Sequence, residues 1–160
     1  MQKLAQTENG EGRAALLRIL GQIGENRSLP LLRQALEEKD PAVFDAAVRA
    51  LAEWPHPAAR YDLLQLSETV ESDTHKILAL RAYIRMVEME PHLSPRGAVE
   101  CLTKALRLST RAEEKKLILG VLPKFSGIAA LKLAQSLLPE KAVKAEAEEA
   151  VKKITQAMKK

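Results

Sequence analysis

Arginines are the residues in this sequence whose types and spacing point most directly to chemistry. Arg18, Arg49 and Arg81 recur at intervals of 31 and 32 residues, and Arg85 follows Arg81 by four. A guanidinium is planar, permanently charged and forked, so a row of them suits the carboxylates or phosphates of a partner. A local ion-pair role competes with this at Arg49, which has Asp45 and Glu53 four residues to either side. It explains the others poorly: Arg81 has Ile77 and Arg85 in those places, and Arg18 has Ala14 and Gln22.

The remaining reactive side chains do not gather into a catalytic or metal-binding pattern. His56, His75 and His92 are 19 and 17 residues apart, so no two share a helix face at i, i+3 or i+4, the spacing a helical metal pair needs. His56 and His92 stand beside prolines in turns and His75 near a helix start, which reads as three solvated histidines. The single cysteine, Cys101, excludes an internal disulfide and a cysteine-based zinc site. Within "AVECLTKAL" it has the spacing of a small buried hydrophobe. Glu148 with Lys152 and Glu149 with Lys153 are i, i+4 pairs of a solvated helix face, not an acid/base dyad. There is no G-x-S-x-G, P-loop or G-x-G-x-x-G, and the two glycines of "LGQIG" read as helix C-capping. Nothing assembles a nucleophile, a base and an oxyanion donor, so the reading is a non-enzyme with no metal and no cofactor.

The elements that carry these residues are helices. Hydrophobic residues make up 46% of the 160, yet aromatics only 3%. Ala and Leu supply the apolar load, and both favour helix over strand. No run reaches the roughly 18 apolar residues of a membrane span. "MQKLAQTENGEG" lacks the apolar stretch of a signal peptide. Basic residues number 25 and acidic residues 21, a net +4 that permits contact with nucleic acid without implying it.

A repeat runs through the chain. "AALLRILGQIG" (14–24), "AAVRALAEWP" (46–55) and "LALRAYIRM" (78–86) superpose, with "LILGVL" (117–122) and "VKAEAEEAVKKI" (143–154) as fourth and fifth copies. Leu16, Ala47 and Ala79 share a column. So do Ile19, Ala50 and Ala82, and so do Leu20, Leu51, Tyr83, Val121 and Val151. The arginine column continues as Leu119 and Glu149, which confines any basic surface to the first three copies. Between the copies lie amphipathic segments at 29–38, 58–70, 95–108 and 127–138, so each unit is a helix pair. Asp40-Pro41 and Ser94-Pro95 read as N-cap followed by proline, and Thr110 with Glu113 as a capping box; Pro139 precedes the last helix. In Trp54-Pro55-His56-Pro57 the first proline ends one helix and the second opens the next. Trp54, in the column of Ile23 and Ile154, is expected to plug the junction between helix pairs.

The stretch L-P-L-L-x-x-A-L-x-x-x-D-P-x-V from Leu29 to Val43, followed by A-A-V-R-A-L, resembles the short HEAT repeat of about 31 residues common in bacterial proteins, a class akin to PBS-lyase-like repeats. The resemblance covers nearly the whole chain and is strongest over 14–86. It implies an all-α superhelix, a right-handed solenoid of about four to five helix pairs with the second helices lining a concave side. HEAT units usually follow the valine with an arginine that pairs with the aspartate of a neighbouring unit. Here Phe44 stands in that place, which puts the inter-repeat ladder in doubt.

Residues 1–160 read as one HEAT-repeat domain, a module of a larger protein in which "MQKLAQ" forms the last turns of a helix begun upstream. The chain is similar to HEAT regions of large bacterial multidomain proteins, some of which carry a 3-keto-disaccharide hydrolase-type domain. The implied function is a protein-protein interaction scaffold whose concave arginine row, Arg18, Arg49, Arg81 and Arg85, meets a partner with an acidic surface or a neighbouring domain. The alternatives are a nucleic-acid-binding module, as in the HEAT-like alkylpurine DNA glycosylases, and an accessory domain of a larger hydrolase. Compartment follows context: cytoplasmic for a complete chain, with the periplasm open to a fragment.

Overall fold

A computed structural model describes residues 10–159, and the described residues form helices with no strand. "MQKLAQ" lies outside them. The helices gather into two compact units, residues 1–83 and 84–160.

The first unit opens with α1 (Gly10–Ile23). A 3₁₀ turn (Asn26–Ser28) leads into α2 (Leu29–Ala35), and α3 (Pro41–Ala52) follows. A second 3₁₀ turn (Pro57–Ala59) leads into α4 (Arg60–Thr69), and α5 (Asp73–Met89) begins in this unit and continues past its end. Asp40 caps α3 as its sequence position predicts, its Oδ1 accepting from the Ala42 amide at 2.8 Å and the Val43 amide at 3.4 Å.

The unit is held by small residues at close helix contacts and by large ones in its core. Gly21, inside α1, lies against α3: a Cβ there would come within 2.6 Å of the Ala50 Cα. That corrects the C-cap reading of this glycine, which is required by close packing. Gly24 is the cap. Its φ of +68° is costly for any residue with a Cβ, its amide donates to the Leu20 carbonyl at 3.0 Å, and a side chain would strike Pro55. Trp54, next to that contact, is fully buried with Leu51 and Leu63. Trp54-Pro55-His56-Pro57 is therefore a junction with a core anchor: Trp54 follows α3, and Pro57 opens the next 3₁₀ turn.

The second unit contains α6 (Pro95–Leu108), α7 (Ala112–Val121), a 3₁₀ turn (Leu122–Phe125), α8 (Ile128–Ser136), another (Lys141–Val143) and α9 (Lys144–Ala157). α8 packs on α9 and α6, and α7 on α9, so neighbours in space are neighbours in sequence. Ser94 caps α6, accepting from the Gly97 amide at 3.1 Å.

Two local expectations fail here. Thr110 does not open a capping box. The extended Arg111 takes the cap position and α7 starts at Ala112, so Glu113 falls too early to reach back and faces Arg111 at 3.6 Å. Cys101 is only half-buried. Ala98, Leu102 and Ala105 define the inner face of α6, and a residue at 101 falls on its flank.

Candidate interaction surface

Each arginine of the first unit's row stands on a second helix of the repeat. Arg18 is exposed on α1, Arg49 on α3 and Arg81 on α5. α3 touches α1 at Gly21–Ala50, and it touches α5 through Asp45 and Phe44, which both meet His75.

Their environments differ. Arg18 has no ion-pair partner among the described residues. Arg49 Nε donates to both oxygens of Asp45, at 3.1 and 2.9 Å, so the local pair anticipated for it forms through Asp45. Asp45 also meets His75 Nε2 at 3.0 Å. Hydrogen bonding by Arg49, with His75 second, holds the Asp45 carboxyl below the usual carboxylate range despite partial burial, and the same bond raises Arg49. Arg85 belongs to the second unit, where it is half-buried and its Nη1 lies 3.4 Å from Met89 Sδ.

His75 is not the solvated residue that its sequence position suggested. One turn into α5, its ring meets Phe44 edge-on, with centroids 5.5 Å apart, while its Nε2 faces Asp45. Phe44, which replaces the ladder arginine, thus gains a ring partner on α5. Bridges between repeats run elsewhere. Arg33 of α2 grips Asp62 of α4 through two bonds of 2.8 and 3.0 Å, which raises the arginine further. Arg13 of α1 pairs with Glu38 beyond α2. Arg33 lies outside the arginine column, and its 29-residue spacing to Asp62 is the one trace of this bridge in the sequence.

In the second unit the arginine column is replaced by a groove. Leu119 and Glu149, its fourth and fifth members, both line a hollow of about 360 Å³ between α7 and α9. Gly120, Pro123, Ala145 and Ala150 also line it, with Lys116–Glu146 and Lys153–Glu149 ion pairs of 3.0 and 3.4 Å at its edges. Lys116 lowers the Glu146 pKa. Glu149 pairs with Lys153 as expected, whereas Glu148 turns to Lys144 at 3.7 Å instead of Lys152. The basic excess also lies here. The second unit carries 15 basic and 9 acidic residues, a net +6, against 10 and 12 in the first, a net −2. Basic charge is therefore not confined to the first three copies.

Among the described residues no cluster of histidine, cysteine and acidic side chains could hold a metal, and no helix is long and apolar enough to cross a membrane.

The family model for HEAT repeats matches residues 1–84. The chain belongs to the HEAT-repeat family. The matched segment coincides with the first unit, the part where the repeat columns are clearest. No curated protein and no solved structure matches the chain. HEAT repeats generally mediate protein-protein interaction and are typically non-enzymatic.

Proposed function

We propose that this HEAT-repeat chain is a non-enzymatic interaction scaffold whose first unit receives an acidic partner segment along Arg18, Arg49 and Arg81. The observation that supports this is the recurrence of one exposed arginine at the same column of three successive second helices. Helices packed side by side lie about 8–10 Å apart, so the row spans roughly 20 Å, the length of an extended peptide of about six residues. Asp45 orients Arg49, which leaves the guanidinium less entropy to lose on binding. An acidic face of a neighbouring domain fits the row equally.

The test uses a fluorescein-labelled hexaglutamate peptide as probe, read by anisotropy. Removing a charge-assisted hydrogen bond costs roughly 1.5–3 kcal/mol, so Arg18→Gln combined with Arg81→Gln should weaken binding at least about tenfold. Thermal stability should change little. Unchanged affinity would remove the row from the site.

One observation favours a second reading, nucleic-acid binding through the other unit. Lys104, Arg107, Lys132, Lys141, Lys152 and Lys159 are exposed there and have no ion partner among the described residues. A duplex oligonucleotide whose affinity falls steeply with salt would support it.

A further inference from the structure

Taking the arginine row as the binding site, we infer that His75 sets its affinity through the aspartate it shares with Arg49, so that protonating His75 tightens the grip on an acidic partner. Asp45 stands between the two side chains. Its Oδ2 accepts from Arg49 Nε at 2.9 Å, and its Oδ1 meets His75 Nε2 at 3.0 Å. A carboxylate only accepts, so the hydrogen of the second contact sits on Nε2 in both charge states of the ring. Protonation therefore adds a charge without breaking the bond. The Asp45 carboxyl is held below the usual carboxylate range and stays ionised across the pH range in which histidines titrate. Phe44 meets the imidazole edge-on, and the His75 side chain, 16% exposed, still reaches water to exchange its proton.

Among the described residues Asp45 is the one charged group bonded to His75. α5 itself carries Asp73 and Lys76 beside it, with Glu71 just before the helix. α3 adds Glu53, one turn beyond Arg49. α2 and α4 bring Arg33, Glu37 and Asp62 to the hollow that Phe44 also lines, and Arg33 and Asp62 are engaged with each other. One carboxylate thus serves two cations. With His75 neutral, Asp45 balances Arg49. With His75 protonated, the three groups together carry one positive charge, and the Arg49 guanidinium, 47% exposed, presents that excess at the surface. The effect is reciprocal. A partner carboxylate at Arg49 draws the guanidinium from Asp45, leaves Asp45 to His75 and adds its own negative charge. Both changes favour the protonated ring, so binding takes up a proton. The gain is complete below the midpoint of free His75 and is lost as pH rises through the midpoint of the complex.

The test follows rhodamine-labelled hexaglutamate binding to the full chain by anisotropy, at fixed ionic strength, from about pH 8 down to about pH 5.5, where glutamates remain largely ionised. Parent affinity should rise about threefold, which corresponds to raising the His75 midpoint by about half a pH unit on binding. His75→Gln should abolish the rise. His56→Gln, at an exposed histidine of the same unit, should keep it. A second measurement needs no peptide: the His75 ring resonance, followed by proton NMR, should titrate at lower pH in Asp45→Asn and at higher pH in Arg49→Gln than in the parent. A parent whose affinity ignores pH, or a rise that survives in His75→Gln, overturns the coupling and leaves the row in place. So does a His75 titration that Asp45→Asn fails to move. A peptide that binds at no pH overturns the row itself, and the coupling to it falls as well.

Discussion

At the scale of the residue, Trp54 and Asp45 show how one helix is tied into its unit. Trp54 is the largest fully buried side chain. Trp54→Ala should cost about 3–5 kcal/mol in urea unfolding, the usual range for a large core aromatic. The parent's emission should be blue-shifted and resist quenching by iodide. Asp45 gives a pH signature. Its carboxyl titrates lower in the folded chain than in the unfolded one, so its contribution is complete above the unfolded value of about 4 and fades as pH falls through the folded value. Asp45→Asn should flatten the loss of stability on acidification below about pH 4 and, because the site is partly solvated, should do so modestly. Stability measured from pH 6 to 3 in both proteins decides this. Trp54's burial was legible in the sequence because its column neighbours are apolar. The His75–Asp45 contact was not: it joins residues 30 apart on two helices, and no single-helix spacing rule reaches that far.

At the scale of the element, two helical glycines make opposite predictions. Gly21 has the Ala50 backbone 2.6 Å from where its Cβ would stand, whereas Gly120 has nothing within 4 Å. Gly21→Ala should therefore destabilise by about 1–3 kcal/mol, the overpacking range, despite alanine's better helix propensity. Gly120→Ala should stabilise by about 0.5–1 kcal/mol. Urea midpoints of the two variants measure both signs. From sequence the two glycines look alike, since each follows a run of Leu and Ile; tertiary approach separates them. Helix starts were more legible. Asp40 and Ser94 cap as their side chains and the prolines after them indicate. Thr110 misled because the backbone at Arg111 is extended and moves the first turn by one residue.

At the scale of the whole molecule, composition and repeat spacing announce an all-helical HEAT protein, and far-UV circular dichroism should show helix with no appreciable sheet. The pattern was legible because each second helix repeats the same apolar columns at offsets of 31, 32, 38 and 30 residues. Charge distribution is less legible from the repeat. The arginine column lies in the first three copies, while the net excess sits on cations outside it: α6 and α8 are net positive, α9 is balanced, and Arg111, Lys124, Lys159 and Lys160 add to it. A charge sum counts every side chain, and a column counts one in each helix.

The layering of α1 on α3 has a consequence in time. Contacts in each unit join segments close in sequence, which shortens the loops that must close and favours fast folding. It also lets a unit fray from its edge without unravelling its middle. α3 is packed by α1, α2 and α4, whereas Ile19 and Ile23 of α1 are exposed. Amide protons of α1 should therefore exchange with deuterium well before those of α3, through local openings that cost less than global unfolding.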